Sequence, residues 1–292
     1  MSLIYRPYLN LRGGHIGGIL TVSFSPRGTF IATGGDDGRF CVFSGSEIQR
    51  TPSCVVYKME QLLCVMLTPK PGPQSPEHNV VASGAKKELR VWQYRDSRQG
   101  DDWILQKDLP DPPKSSDTES LDVVVTSIHW LNRTDLLVTY MQHGMVVFDS
   151  SQDWAVRSLT VSGLIASASI SPSKDRIVLS NIRNGFDIYN LNTRSPVHIL
   201  RHQVASLSPV PAIFLHDGYA VLGGTTAGQC YLWDATNGHV MHSLQLPSND
   251  IEVFAVSAYH NPKTDAFYIA TGIMPNNPID TMIWKAEDIG MF

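Results

Sequence analysis

Short apolar segments recur along the whole chain, and Gly, Pro, Asn, Asp and Ser separate them. Almost no stretch of ten or more residues places its apolar side chains at the 3.6-residue spacing of a helix. Regularly spaced short strands with turn residues between them are typical of a β-sandwich, a β-barrel or a β-propeller. The pattern therefore predicts an all-β fold. Which of the three it is depends on whether the pattern repeats.

The clearest unit begins at Gly14-His15 and contains three apolar segments, at residues 20–24, 30–34 and 40–43. Tight turns join them. Pro26 presets φ for the first turn, and the glycines at positions 28 and 38 accept positive φ without steric strain. This unit closely resembles a WD repeat.

Five weaker copies follow, and an aromatic residue marks the third strand in all six units: Phe43, Trp92, Phe148, Tyr189, Trp233 and Trp284. Their separations run from 41 to 56 residues, against about 40–45 for a WD repeat. The resemblance thus covers nearly the whole chain and implies a single β-propeller of four-stranded antiparallel blades. We expect six blades. Seven is the alternative, with the extra blade in residues 96–123 or 201–215.

The expected domain is the whole chain, 1–292. Its six blades occupy approximately residues 12–58, 59–108, 123–160, 163–201, 210–245 and 251–286. The sixth unit has no fourth strand of its own, whereas residues 3–11 precede the first unit without a partner. In WD-repeat proteins the N-terminal strand usually completes the last blade. Such a closure removes the free strand edges that promote aggregation.

The family also implies a structural hydrogen-bonded set of His, Ser or Thr, Asp and Trp in a blade. His15, Thr33 and Asp37 match it in the first blade, where Phe43 replaces Trp and has no N–H to donate. The other matches lie in the second and fifth blades: Ser83, Trp92 and Trp233. No blade holds the full set. A His–Asp pair also occurs in catalytic triads, but we assign this one a structural role.

Composition narrows the function classes. The chain is 42% hydrophobic and 17% charged, with a net charge of −4, so no general attraction to nucleic acid or to anionic membranes is expected. No apolar run is long enough for a membrane helix, and no secretory leader is recognisable. We expect a cytoplasmic protein, with the nucleus as an open alternative, and a monomer.

Chemistry-bearing motifs are missing as well. The sequence has no nucleophile elbow, P-loop or zincin motif, and its four cysteines have no metal-ligand spacing. We therefore predict no catalytic residue, no metal and no cofactor. The cysteines are expected to be buried thiols.

Binding is expected on the loops, because the resemblance implies that outer-to-inner and second-to-third-strand loops share one face. Residues 96–122 carry eight acidic and three basic side chains, which favours a protein or peptide partner with a basic patch. A solvated insertion without a partner is the alternative. The candidate partner-binding residues are Trp103, Asp111, Asp117, Glu119, Met274 and Ile279. Trp103 and Trp154 both lie in polar surroundings, and each is either an exposed anchor or part of outer-strand packing.

The leading hypothesis is thus a protein-interaction scaffold that uses its loops or its central channel. The alternative is a small-ligand-binding or catalytic propeller that uses the channel mouth. First-strand residues such as Thr126, Ser167 and Ser169 are small and uncharged, which argues against catalysis. A third hypothesis is a subunit that only completes a larger assembly.

Overall fold

The structure is a computed structural model in which every regular element longer than three residues is a β-strand, within the part of the chain that it describes. That part comprises residues 3–12, 15–24, 30–35, 37, 39–44, 53–56, 64–67, 80–85, 87–95, 102–159, 161, 163–183, 185–193, 195–202, 208–261, 263–273 and 281–288. Within these ranges no helix is long and apolar enough to cross a membrane.

The described strands form six separate antiparallel sheets of four strands. The first blade contains β2 to β5 (Ile19–Phe24, Phe30–Gly35, Arg39–Ser44, Ser53–Val56). The second contains β6 to β9 (Cys64–Leu67, Val80–Ala85, Glu88–Arg95, Asp102–Asp108). The third contains β10 to β13 (Val125–Trp130, Asp135–Tyr140, Gly144–Asp149, Ala155–Leu159).

The fourth blade contains β14 to β17 (Ile165–Ile170, Arg176–Asn181, Gly185–Asn190, Ser195–Arg201). The fifth contains β18 to β21 (Ala212–Leu215, Ala220–Gly224, Gln229–Asp234, Val240–Gln245). The sixth contains β22 to β24 together with the first strand of the chain, β1 (Val253–Asn261, Ala266–Ile273, Thr281–Asp288, Leu3–Leu11). The prediction of a propeller with four-stranded antiparallel blades is confirmed, and six blades agree with these sheets.

The N-terminal strand completes the last blade, as predicted, because β1 lies next to β24 in the sixth sheet. Their pairing runs from Leu3 opposite Asp288 to Leu11 opposite Thr281, with one shift of register just after Pro7. Proline has no N–H for the ladder, so an irregularity beside it is physically expected. The ring is therefore closed by hydrogen bonds between the two ends of the described chain.

The third-strand aromatic residues occupy equivalent positions in all six blades. Each lies directly opposite an aliphatic residue of the second strand, and these partners are Ile31, Val81, Leu136, Ile177, Val221 and Ile269. Successive third-strand aromatic residues are 41 to 56 residues apart in sequence, yet they have the same register inside the blades. Loops of different length absorb the variation.

A feature that the sequence did not reveal is a repeated bulge near the start of the first strand. The register shifts directly after the first residue of that strand in four blades (Ile19, Val125, Ile165 and Val253). An extra residue at such a point bends the strand and increases its twist. The bulge therefore re-aims the side chains that line the inner side of these blades.

The hydrophobic core lies between the blades. Of the five buried apolar clusters, each joins two consecutive blades: the second with the third, the third with the fourth, the fourth with the fifth, the fifth with the sixth, and the sixth with the first. Leu11 of β1 is 1% exposed and packs in the last of these clusters with Ile19 of the first blade. The closing strand is thus held by apolar packing as well as by hydrogen bonds.

We predict that Leu11→Ala lowers the free energy of unfolding by about 2–5 kcal/mol, because it removes buried side-chain atoms at the closure and leaves a cavity. Urea denaturation measures the change. Asn10→Ala is the matched control, since Asn10 is exposed on the same strand. Equal stability of the two variants would contradict a packed closing strand.

Candidate functional site

The loops between strands form two faces. On one face, which we call the upper face, an outer-to-inner loop meets a second-to-third-strand turn: the amide of Met141 donates to the carbonyl of Val124 at 2.9 Å. On the lower face, the turn after the first strand meets the one after the third: Ser150 N donates to Thr134 O at 2.9 Å. Each face therefore combines two sets of loops.

The acidic segment, residues 109–122, joins β9 to β10 on the upper face. Leu109, Pro112 and Val123 are buried, and Leu109 and Val123 pack in the cluster between the second and third blades. The amide of Leu109 donates to the carbonyl of Leu89 at 2.9 Å. Both ends of the segment are thus anchored on the propeller.

The acidic side chains of this segment contrast with those buried anchors. Asp111, Asp117 and Glu119 are all exposed. A turn from Ser115 to Thr118, which contains Asp117, is closed by a 3.0 Å bond from Thr118 N to Ser115 O and braced by one from Ser115 N to Thr118 Oγ1 at 2.9 Å. The segment presents negative charge on a backbone with local hydrogen bonds.

Asp111 also marks where the segment lies. Burial raises the pKa of the Tyr140 hydroxyl well above its usual range, and the nearby negative charge of Asp111 raises it further. Tyr140 is at the end of β11 in the third blade and is 1% exposed. The acidic segment therefore lies over the upper end of the third blade.

The other predicted binding residues are not part of the acidic segment. Trp103 lies in β9, the outer strand of the second blade, but its side chain is outside the described residues. Met274 and Ile279 also lie outside them. Trp154 is only 9% exposed and packs against Trp130, with 6.4 Å between the ring centroids. Of the two roles predicted for Trp154, packing is therefore correct, and this residue is not an exposed anchor.

The structure brings His15, Thr33 and Asp37 together. The His15 ring makes hydrogen bonds at both nitrogens, from Nδ1 to Asp37 Oδ1 at 3.1 Å and from Nε2 to Thr33 Oγ1 at 2.8 Å. The second carboxylate oxygen of Asp37 accepts from the Ile16 amide at 2.8 Å. This set ties the segment before β2 to the turn between β3 and β4, which is a bracing arrangement.

The three other predicted residues lie in the second and fifth blades. Ser83 and Trp92 are in paired strands of the second blade, with Trp92 opposite Val81, and their side chains are outside the described part. Trp233 is 1% exposed and contacts the ring of Phe186, with 5.4 Å between centroids. Gly223 occupies the position of the Ser or Thr in this blade, where any Cβ would collide with that Phe186 ring.

One further hydrogen-bonded pair of Trp and Thr was not predicted from the sequence. Trp284 Nε1 donates to Thr271 Oγ1 at 3.2 Å in the sixth blade, and both residues are buried. The sequence does contain a signal for this pair, because Thr271 lies in an Ala-Thr-Gly tripeptide. The equivalent strands of the first two blades contain Ala-Thr-Gly and Ala-Ser-Gly around Thr33 and Ser83.

A second polar network joins the third blade to the fourth. The hydroxyls of Thr126 and Ser127 both bond Thr139 Oγ1, at 2.8 and 2.6 Å. Adjacent strand residues normally point to opposite faces, but the bulge in β10 lets both reach the same oxygen. His129 Nε2 lies 3.1 Å from both Ser127 Oγ and the carbonyl of Ala168 in β14.

The Ala168 carbonyl can only accept, so Nε2 of His129 carries the hydrogen. Burial of the ring lowers the pKa of His129 to about 4, against the smaller raising effect of the Ala168 hydrogen bond. The imidazole is therefore neutral at pH 7. The network consists of hydroxyl groups, a neutral ring and a carbonyl, which suits an inter-blade contact.

Metal and thiol chemistry has no assembled site in the described ranges. No group of three or more His, Cys, Asp or Glu side chains there is placed to hold a metal ion. Cys41 and Cys230 are buried thiols that form no disulfide, and burial raises the pKa of Cys230 to about 12. The side chains of Cys54 and Cys64 are outside the described part.

Comparison with known proteins gives one match. Residues 7–44 match the family model described as WD domain, G-beta repeat. The matched residues include most of β1 and the first three strands of the first blade. Together with the six blades, this match is consistent with a WD-repeat family. No curated protein matches the chain.

We predict that Thr33→Val lowers the free energy of unfolding by about 1–3 kcal/mol, because the buried His15 ring loses a hydrogen bond while the side-chain shape is kept. Thr21→Val is the control, since Thr21 is exposed on the adjacent strand. Thermal and urea unfolding measure both. A Thr33→Val protein as stable as the Thr21→Val protein would exclude the bracing role.

We also predict that the free energy of unfolding decreases as the pH is lowered from 6.5 to 4, and that His129 contributes to this decrease. The unfolded residue, with a pKa of about 6.5, binds a proton in this window, whereas the folded residue does so only near pH 4. Protons therefore favour the unfolded chain, by up to about 3 kcal/mol. His129→Gln should flatten the stability–pH curve, and the exposed control His239→Gln should not. Parallel curves for wild type and His129→Gln would contradict the pKa assignment.

Proposed function

We propose that this WD-repeat propeller is a protein-interaction scaffold whose upper face binds a basic segment of a partner protein through residues 109–122. WD repeats and propeller blades point in general to protein-interaction scaffolds, and such proteins are typically not enzymes.

The observation that carries the proposal is the combination of exposed carboxylates with buried anchors. Asp111, Asp117 and Glu119 are exposed, whereas Leu109 and Val123 are buried. A loop that is already held in place loses less conformational entropy when a partner binds. The arrangement favours a binding loop over the alternative of a solvated insertion, which would need no buried anchors.

Charge distribution supports the same surface. Residues 109–122 have four acidic side chains and one basic side chain, a net charge of −3, while the whole chain has a net charge of −4. The remainder of the protein is therefore close to neutral. Complementary charge mainly accelerates encounter and selects partners, and salt screens it over about 10 Å at 0.1 M.

The test neutralises the segment without changing its shape. We expect a triple variant to lose its principal partners in affinity capture from native cell extract, and the wild-type protein to lose the same partners at high salt. Quantitative mass spectrometry of the captured proteins is the measurement. The substitutions are Asp111→Asn, Asp117→Asn and Glu119→Gln.

A control triple removes the same charge elsewhere on the surface and should capture the wild-type set of partners. Its substitutions are Asp153→Asn, Asp250→Asn and Glu287→Gln, all at exposed positions. If the segment variant and the control capture the same proteins in the same amounts, the acidic segment is not the binding surface.

A further inference from the structure

The lower face has a cleft that the proposed function does not use. It lies where turns of the fourth, fifth and sixth blades meet and has a volume of about 430 Å³, within the range of roughly 300–1,000 Å³ for ligand sites. Of the twelve described residues that line it, eight are Tyr, Phe or His. A neighbouring cleft of about 230 Å³ shares Tyr5, His216 and Tyr219 with it, so the two form one groove.

Contacts between distant parts of the chain build the aromatic wall of this groove. The Tyr5 hydroxyl lies 3.0 Å from His216 Nε2. The His216 ring is 4.6 Å from that of Phe267, which stacks on His260 at 4.1 Å with 7° between the planes. Tyr5 belongs to the closing strand β1, so its part of the wall exists only when the ring is closed.

Two aspartates supply the acidic side chains of the groove. Asp217 and Asp234 line it, and none of its described lining residues is Lys or Arg. The hydroxyl of Thr236 donates to Asp234 and lowers the pKa of that carboxyl, which keeps it ionised. Asp217 is exposed, and no described Lys or Arg lies within ion-pair distance of it.

The guanidinium of Arg176 lies beside the groove and is already engaged. Arg176 lies 5.6 Å from the centroid of the Phe214 ring and donates to the carbonyls of Gly218 and Ala235 at 2.9 and 3.3 Å. Asp175 lies 3.8 Å from it and offsets its charge. Burial lowers the pKa of His216, which favours its neutral form. The described lining of the groove therefore offers aromatic side chains and two aspartates.

Exposed apolar side chains border the same groove. Tyr219 is 69% exposed, Met241 59% and Val240 53%. Tyr219 and Met241 line the smaller cleft, and Val240 is the next residue along β21. Exposed Tyr and Met beside a concave site are typical of a surface that contacts another protein.

We propose that this groove binds an arginine side chain of a partner peptide, with apolar residues on either side of the arginine. The guanidinium would lie against the faces of the aromatic side chains and pair with the carboxylates of Asp217 and Asp234. The flanking residues would contact Tyr219 and Met241. This site is on the face opposite the acidic segment and does not depend on it.

The probe for this site is the capped tripeptide acetyl-Leu-Arg-Leu-amide, compared with the same peptide containing citrulline, which has the shape of arginine without its charge. Ligand-observed NMR titrations on the full chain give the affinities. We expect the arginine peptide to bind at least about fivefold more tightly than the citrulline peptide, since the cation interacts with both rings and carboxylates. Equal affinities would overturn the proposal.

Substitutions of groove residues test whether the peptide binds in the groove. Tyr219→Ala should weaken the arginine peptide at least about fivefold, whereas Tyr219→Phe keeps the ring face and should retain binding. Asp217→Asn should reduce the preference for arginine over citrulline, because one of the two carboxylates is lost. Asp153→Asn is its matched control, because both are exposed aspartates with left-handed backbone, at φ 54° and 51°. Asn tolerates that conformation, so neither change should unfold the protein.

Two outcomes separate this proposal from the proposed function. The segment variant with Asp111, Asp117 and Glu119 neutralised should bind the arginine peptide as the wild type does, even if it has lost its captured partners. Weakening by the segment variant, or unchanged binding by both Tyr219→Ala and Asp217→Asn, would place the peptide elsewhere and overturn the proposal.

Discussion

The pairing of β1 with β24 is the constraint on which the rest of the structure depends. It joins Leu3–Leu11 to Thr281–Asp288 in one sheet and places Leu11 in the apolar cluster between the sixth and first blades. Each blade is a small sheet that cannot bury its two faces alone. The apolar clusters between consecutive blades bury those faces, and the closing strand leaves the last blade without an unpaired edge.

The two proposed binding surfaces differ in how they depend on that closure. The acidic segment is held by apolar packing between the second and third blades, through Leu109 and Val123. The aromatic groove requires the closure directly, because Tyr5 of β1 supplies part of its wall beside His216. A propeller can therefore present two chemically distinct surfaces, one acidic and one aromatic, on its opposite faces without any change in the blades.

The sequence predicted the features that depend on local pattern. Strand segments, the third-strand aromatics such as Trp233 and the missing fourth strand of the last blade were all visible, because strand periodicity and turn residues are local signals. The repeated bulge after residues such as Val125 was not visible, since no residue type marks it. Nor was the aromatic groove: Tyr5 and His216 are 211 residues apart, and only the closed ring brings them together.

Native-state hydrogen exchange of the β1 amides is the most direct measurement of the closed ring. If β1 is an integral strand of the sixth blade, the hydrogen-bonded amides of residues 3–11 and 281–288 exchange together, with the free energy of global unfolding. Exchange of residues 3–11 at a much lower free energy than that of residues 281–288 would mean that β1 detaches while the propeller persists. That result would contradict the closed ring and the groove that depends on it.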